Sequence, residues 1–154
     1  MTTGLVFYIG FMACGKSTLG EQDAGKAGAR FTDLDKVIEE NTGKPAWQLL
    51  AEKGEKAFRN IESRLLRQVV EKWMEDGKPS QIVACGGGTP CFHGNLDLMK
   101  SYGHVVFIDT PLETILERIA LHPEKWPLLK DNDPVVLYGS RRKWYEKADE
   151  QRVP

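Results

Sequence analysis

Apolar positions along this chain fall into two kinds of run. Leu5–Ile9, Gln81–Cys85 and His104–Asp109 are short and nearly continuous, as strands buried on both faces are. "RFTDLD" (Arg30 to Asp35) reads as another short strand, ending in acidic residues. Elsewhere the spacing is helical. Phe58, Ile61, Leu65, Leu66, Val69, Trp73 and Met74 recur three and four residues apart, which predicts one long amphipathic helix from about Glu55 to Glu75. Shorter helices are expected over Lys16 to about Ala27, Val37 to Glu40, Ala46 to Glu52, Leu112 to Leu121 and Val135 to Ala148. The first has a poor apolar face, interrupted by Asp23 and Gly25. "HPEKWPLLKDNDP" reads as irregular. Strands alternating with helices imply an α/β domain whose parallel sheet is covered on both faces. A fifth strand is expected to be missing or incomplete, because the chain ends at "QRVP" just where one would begin. On this expectation the chain is truncated.

Composition narrows the function classes. The chain has 154 residues, which suits one domain, and its 41% apolar and 28% charged residues suit a globular one. With 21 basic and 22 acidic residues the net charge is −1, so nothing in bulk attracts nucleic acid or an anionic membrane. Functional positive charge must therefore be local. No apolar stretch approaches the ~20 residues of a membrane span, and no secretory leader is legible at the N-terminus. Cys14, Cys85 and Cys91 are odd in number and fit no zinc spacing. A reduced, cytoplasmic compartment is the expectation.

The strongest chemical signal is "IGFMACGKST" at positions 9–18: Gly10, four residues, then Gly15, Lys16 and Ser17. It follows a buried-type strand and opens a helix. Glycines let the backbone curl so that successive N–H groups face phosphate oxygens, and the helix N-terminus adds positive potential. Lys16 is placed for the β- and γ-phosphates of a bound nucleotide, and Ser17 for Mg²⁺. A second acidic group is needed near the metal. Asp33, Asp35 and Asp109 are the candidates, and Asp35 suits equally well as a helix N-cap.

Three other stretches carry weaker signals. Arg59 and Glu62 in "GEKAFRNIE" lie three apart on one helix face, where the glutamate can orient the guanidinium toward a carboxylate. Taken alone, the pair reads as an ordinary surface ion pair. "GGGTP" (Gly86 to Pro90) permits close backbone approach to a ligand. In "SRRKWY", Arg142 reads as part of a solvated basic face, while Arg141 is left open.

These motifs together, in this order and spacing, resemble the shikimate kinase family over nearly the whole chain: "GFMACGKST", "DLDKVIE", "GEKAFRNIE", "ACGGGTP" and an arginine four residues before a tyrosine in "RRKWY". The resemblance implies a P-loop kinase-type three-layer α/β/α domain with strand order 2-3-1-4-5. It implies transfer of the γ-phosphate of ATP to a hydroxyl of shikimate in aromatic amino-acid biosynthesis. Met12, Ala13, Cys14, Gly15, Lys16, Ser17 and Thr18 would bind ATP, with Arg118 along the adenine. Ser17 and, through water, Asp33 would hold Mg²⁺. Asp35 would contact the acceptor hydroxyl as base. Arg59, Arg141, Gly87 and Gly88 would hold shikimate. Acceptor-binding helices would span about 35–62 and a lid about 122–132. That lid departs from the family pattern: Trp126 stands where an arginine normally precedes "PLL", which leaves adjacent Lys125 as the candidate cation. Two alternatives stand beside this expectation: a gluconate-type sugar-acid kinase, and a kinase-like domain that binds nucleotide without catalysis. A monomer is expected.

Overall fold

The computed structural model describes residues 4–154. Five parallel strands form one sheet in the order β2-β3-β1-β4-β5. They are β1 (Leu5–Ile9), β2 (Arg30–Asp33), β3 (Gln81–Ala84), β4 (His104–Ile108) and β5 (Glu150–Arg152). Every residue of β1 and β3 is buried, as their continuous apolar runs require. Among the described residues seven α-helices complete the domain: α1 (Lys16–Ala27), α2 (Leu34–Thr42), α3 (Ala46–Lys53), α4 (Glu55–Glu75), α5 (Asn95–Tyr102), α6 (Leu112–Leu121) and α7 (Pro134–Tyr145). No helix among the described residues is long and apolar enough to cross a membrane.

The fifth strand, expected to be missing or incomplete, is present. It is short and polar, and pairs with β4 through Val106–Glu150, Phe107–Gln151 and Ile108–Arg152. Its side chains gave no apolar alternation because it lies at the sheet edge. What anchors it is polar: Arg152 bonds Asp23 of α1, which also accepts from the Tyr8 hydroxyl of β1, each at 2.5 Å. Asp23 therefore interrupts the apolar face of α1 in order to tie it to the sheet. The rest of that face is small by necessity. A side chain at Gly20 would run into Phe31 of β2, so α1 approaches the sheet through Gly20 and Ala24.

Helix starts moved for a common reason. Asp33 accepts from the Asp35 amide and begins α2 at Leu34, so Asp33, not Asp35, is the N-cap. Asp133 accepts from the amides of Val135 and Val136 and begins α7 at Pro134. Helix α5 had no counterpart in the sequence expectations. It buries only Asn95, Leu96 and Met99, too few positions to show a period. The irregular stretch contains two single 3₁₀ turns, Pro123–Lys125 and Pro127–Lys130, both packed against α3.

This topology gathers the chemistry. In a parallel sheet the loops after all strands emerge on one side, and the order reverses at β1, which lies between β3 and β4. The phosphate loop follows β1, the aspartates follow β2, and the glycine triplet follows β3.

Candidate active site

The loop from Gly10 to Gly15 curls because several residues take left-handed conformations: Ala13 at φ 61°, Gly15 at φ 96° and Gly10 at φ 155°. A Cβ on Gly10 would meet the Ile108 carbonyl at 2.7 Å and Cys14 Sγ at 2.8 Å, so nothing larger fits. Outside partners fix the loop. The Thr110 hydroxyl donates to the Cys14 carbonyl at 2.6 Å, and Arg118 donates to the Ala13 carbonyl at 3.0 Å. Among the described residues, the amides of Gly15, Lys16, Ser17 and Thr18 have no backbone acceptor, and α1 has no side-chain cap. A helix start with free amides is a phosphate cradle. Lys16 Nζ is buried, donating to the carbonyls of Gly10 and Phe11 at 3.0 Å each.

Beside the loop lies a cleft of about 300 Å³ whose lining includes Met12, Asp35, Arg59, Gly87, Trp126 and Arg141. Arg59 and Glu62 form its rear wall. Their side chains are only 4% and 1% exposed, which overturns the surface-pair expectation. Glu62 accepts from Arg59 at 3.0 Å with one oxygen and from the Thr89 hydroxyl at 2.7 Å with the other. Asn95 of α5 donates to the Thr89 carbonyl and accepts from Ser63, which carries the support into a further layer. A buried charge pair with every oxygen satisfied is rigid, and rigidity is what a binding guanidinium needs.

Arg141 of α7 reaches the same cleft and is buried. Glu55 Oε2 lies 3.0 Å from Arg59 and 4.0 Å from Arg141, so both guanidinium groups surround one point. The neighbouring Tyr145 hydroxyl donates to the Gly87 carbonyl at 2.5 Å, which ties α7 to the glycine triplet. Arg142 is not a solvated face. It makes a two-pronged bond to Asp109, both contacts at 2.9 Å, and its side chain is 30% exposed. That bond, together with Gln151, occupies Asp109, so this aspartate is withdrawn as a metal candidate.

The glycine triplet has a steric explanation. None of Gly86, Gly87 and Gly88 has positive φ. A Cβ on Gly86 would meet Glu62 and Thr89 oxygens at 3.0 and 3.1 Å, one on Gly87 the Met12 amide nitrogen at 2.9 Å, and one on Gly88 the Arg59 guanidinium inside 3 Å. The backbone approaches the protein's own charged groups. Gly88→Ala is therefore expected to push Arg59 out of its bond with Glu62, lowering the melting temperature and raising KM for the acceptor. A variant with unchanged melting temperature and KM would show that the triplet has slack.

Asp33 ends β2 as the N-cap of α2, and Asp35 is in that helix's first turn. Asp33 spends one oxygen on the Asp35 amide, leaving the other free. Asp35 lines the cleft, and solvent reaches it through the mouth. Surrounding protein disfavours its charge, and Asp33 and Glu62 add repulsion, so its pKa is pushed up to about 6. Burial likewise pushes the Cys85 thiol up, and Cys91 up to about 11, which makes both poor nucleophiles.

At the mouth, Lys125 is exposed and Trp126 packs on the core. The Trp126 indole N–H has no hydrogen-bond partner. Among the described residues no group of three or more histidine, cysteine or acidic side chains forms a metal cage. The hydroxyl of Ser17 and the free oxygen of Asp33 are hard donors, suited to a Mg²⁺ that keeps waters and phosphate oxygens for the rest of its shell. Sequence reasoning missed Glu55, Trp47 and Thr89. Glu55 had a legible signal, standing four residues before Arg59 on the same helix face. Trp47 and Thr89 had none, since only the folded cleft brings them in.

The family model described as shikimate kinase matches residues 12–154. The shikimate kinase of Persephonella marina is 39% identical over 146 residues, covering 94% of this chain and 85% of that protein. That of Phocaeicola vulgatus is 40% identical over 150 residues, covering 93% and 82%. Among solved structures, shikimate kinase from Acinetobacter baumannii in complex with shikimate superposes with a TM-score of 0.86 at 28% identity, covering 98% of this chain and 83% of that one.

Proposed function

The chain belongs to the shikimate kinase family, ATP-dependent small-molecule kinases, and on that premise we propose how its residues divide the work. The observation that carries the proposal is that Arg59 and Arg141, buried and from distant helices, both line the cleft beside the phosphate loop. Two fixed guanidinium groups suit a planar carboxylate, which can accept from each fork. They would hold the acid group of shikimate, with Gly87 and Gly88 backing the ring. Asp35 would then receive the proton of the attacking hydroxyl. Met12 to Thr18 would cradle the ATP phosphates, with Arg118 along the adenine. Lys16 would exchange the carbonyls of Gly10 and Phe11 for phosphate oxygens.

Mg²⁺, when bound, supplies charge neutralisation at the phosphates. Ser17 and, through water, Asp33 are the residues that would hold it. Helices across residues 35–62 would form the acceptor side and residues 122–132 the lid. Lys125 would bring the lid's cation to the transferring phosphate, in place of the arginine that Trp126 replaces. Free cysteines support a reducing, cytoplasmic setting.

The test follows ADP release with ATP, Mg²⁺ and shikimate. Shikimate-dependent turnover is expected, with Lys125→Ala lowering kcat on the order of 10²-fold and Trp126→Ala lowering it less. ADP formed only with another sugar acid would move the acceptor assignment. Tight nucleotide binding without turnover on any acid would end the catalytic proposal, and a silent Lys125→Ala would end the account of the lid.

A further inference from the structure

Arg59 and Arg141 are held in different ways. Arg59 is bonded at 3.0 Å to Glu62, on the helix they share. Arg141 has no such partner. The carboxylate nearest to it, Glu55, lies 4.0 Å away, in the groove on its far side. What surrounds Arg141 instead is the face of the Phe11 ring, 6.0 Å from its guanidinium carbon, and Gly87. A guanidinium without an anchoring carboxylate takes its position from whatever fixes its own helix.

Tyr145, one turn along α7, supplies that fixing. It is fully buried, its ring lies 5.2 Å from Phe107 of β4, and its hydroxyl donates to the Gly87 carbonyl at 2.5 Å. The carbonyls on either side are engaged by backbone: that of Gly86 accepts from the Thr89 amide and that of Gly88 from the Cys91 amide. The Gly87 carbonyl has only the tyrosine among the described residues. It shares a peptide plane with the Gly88 N–H. In a trans peptide the two point in opposite directions, so the bond that draws the carbonyl toward α7 also aims the Gly88 N–H away from it. That N–H has no protein acceptor among the described residues, and Gly88 lines the cleft, so the donor is left for a ligand. Gly87 is also where the two halves of the site touch. A Cβ there would lie 2.9 Å from the Met12 amide nitrogen of the phosphate loop and 3.5 Å from Arg141.

We propose that Tyr145 is a positioning residue for the phosphoryl acceptor: through one hydroxyl it sets the Gly87–Gly88 peptide plane and holds Arg141 in register with that plane and with the phosphate loop. This rests on the acceptor assignment above and deepens it. Tyr145 touches no reacting atom. The guanidinium that takes the carboxylate and the amide that backs the ring become one rigid unit, at a fixed offset from the loop that cradles the transferring phosphate. The hydroxyl suits this work. Burial pushes its pKa up despite the Arg141 charge beside it, so it remains a donor across the working pH range.

Tyr145→Phe removes the oxygen and keeps the ring. Phe107→Leu is its control, loosening the packing of the tyrosine ring while leaving the hydroxyl. Both should melt earlier than the parent protein, and both are assayed at temperatures where their melts show them folded. The readouts are KM and kcat with shikimate, KM for ATP, and equilibrium binding of cyclohexene-1-carboxylate, the ring acid without hydroxyls. Binding is followed by tryptophan fluorescence, since Trp47 and Trp126 line the cleft. Tyr145→Phe is expected to weaken ring-acid binding about tenfold and to lower kcat/KM for shikimate on the order of 10²-fold, with kcat itself reduced, because the carboxylate contacts loosen and the hydroxyl is misplaced. KM for ATP should not change, since Thr110 and Arg118 fix the phosphate loop independently. Lost stability alone moves none of these in folded protein, so Phe107→Leu should match the parent. Phe107→Leu reproducing the kinetics of Tyr145→Phe overturns the proposal, because ring packing would then do the positioning. Shikimate turnover by the parent, matched by Tyr145→Phe in KM and kcat, overturns the proposal alone. A parent protein that does not phosphorylate shikimate removes the acceptor assignment and this inference with it.

Discussion

Asp35→Asn is expected to lower kcat with shikimate by about 10²–10⁴-fold, the usual worth of a positioned general base. The variant should still bind ring acid, because Arg59 and Arg141 are untouched. The same position should give the pH profile of the parent protein. With its pKa pushed up to about 6, Asp35 carries a proton below that pH and cannot accept another. The rate should fall about tenfold per pH unit below about 6 and level off above it. Stability should run oppositely. A raised carboxylate pKa means the fold favours the protonated form. That contribution is complete below the ordinary carboxylate range and is lost as pH rises through about 6. At pH 8 the fold therefore holds a charge that the nearby carboxylates of Asp33 and Glu62 disfavour; because the side chain is open to water, Asp35→Asn should raise the melting temperature there only slightly, while lowering turnover as above. Stopped-assay rates across pH 5–8 and paired thermal melts read both effects. An Asn variant that retains wild-type turnover would remove Asp35 from the chemistry.

Arg59→Ala should have the largest effect on stability. It strands Glu62, whose side chain is 1% exposed, without its cation. Breaking one partner of a buried pair costs about 3–5 kcal/mol, which for a domain of this size is a fall in melting temperature on the order of 10 °C. KM for shikimate should also rise steeply. Two further variants separate binding from folding. Arg59→Ala combined with Glu62→Gln removes the stranded charge, so it should recover most of the melting temperature and none of the acceptor affinity. Arg59→Lys keeps the charge and loses the fork, so it should fold and still bind shikimate weakly. If the double variant binds acceptor as the parent does, Arg59 serves the fold alone.

These two residues show how unevenly a site is written in its sequence. Lys16 was legible because a phosphate loop is local: its glycines, its lysine and the helix behind it lie within ten positions of one another. Asp35 was narrowed only to a set that included Asp33 and Asp109. Asp109 left that set when α7 brought Arg142 onto it, a contact across 33 positions. Arg59 and Glu62 had the right spacing but no visible burial. Spacing on a helix face is the same whether that face meets water or Thr89, and Thr89 arrives from a different loop. Glu55 lay in plain view four residues before Arg59, yet it also comes within 4.0 Å of Arg141, which is 86 positions further along.

What the sequence determined by itself was the element pattern, the nucleotide loop and, through ordered motifs, the family. Each of these is set by neighbours in the chain: strand runs by continuous burial, helices by period, the loop by glycine and a helix start. Folding alone decided the fifth strand, the helix Asn95–Tyr102, which arginines are buried and which aspartate is already engaged. Those depend on contacts between distant segments, and the free energy of a charge is set by what surrounds it in space rather than by what precedes it in the chain.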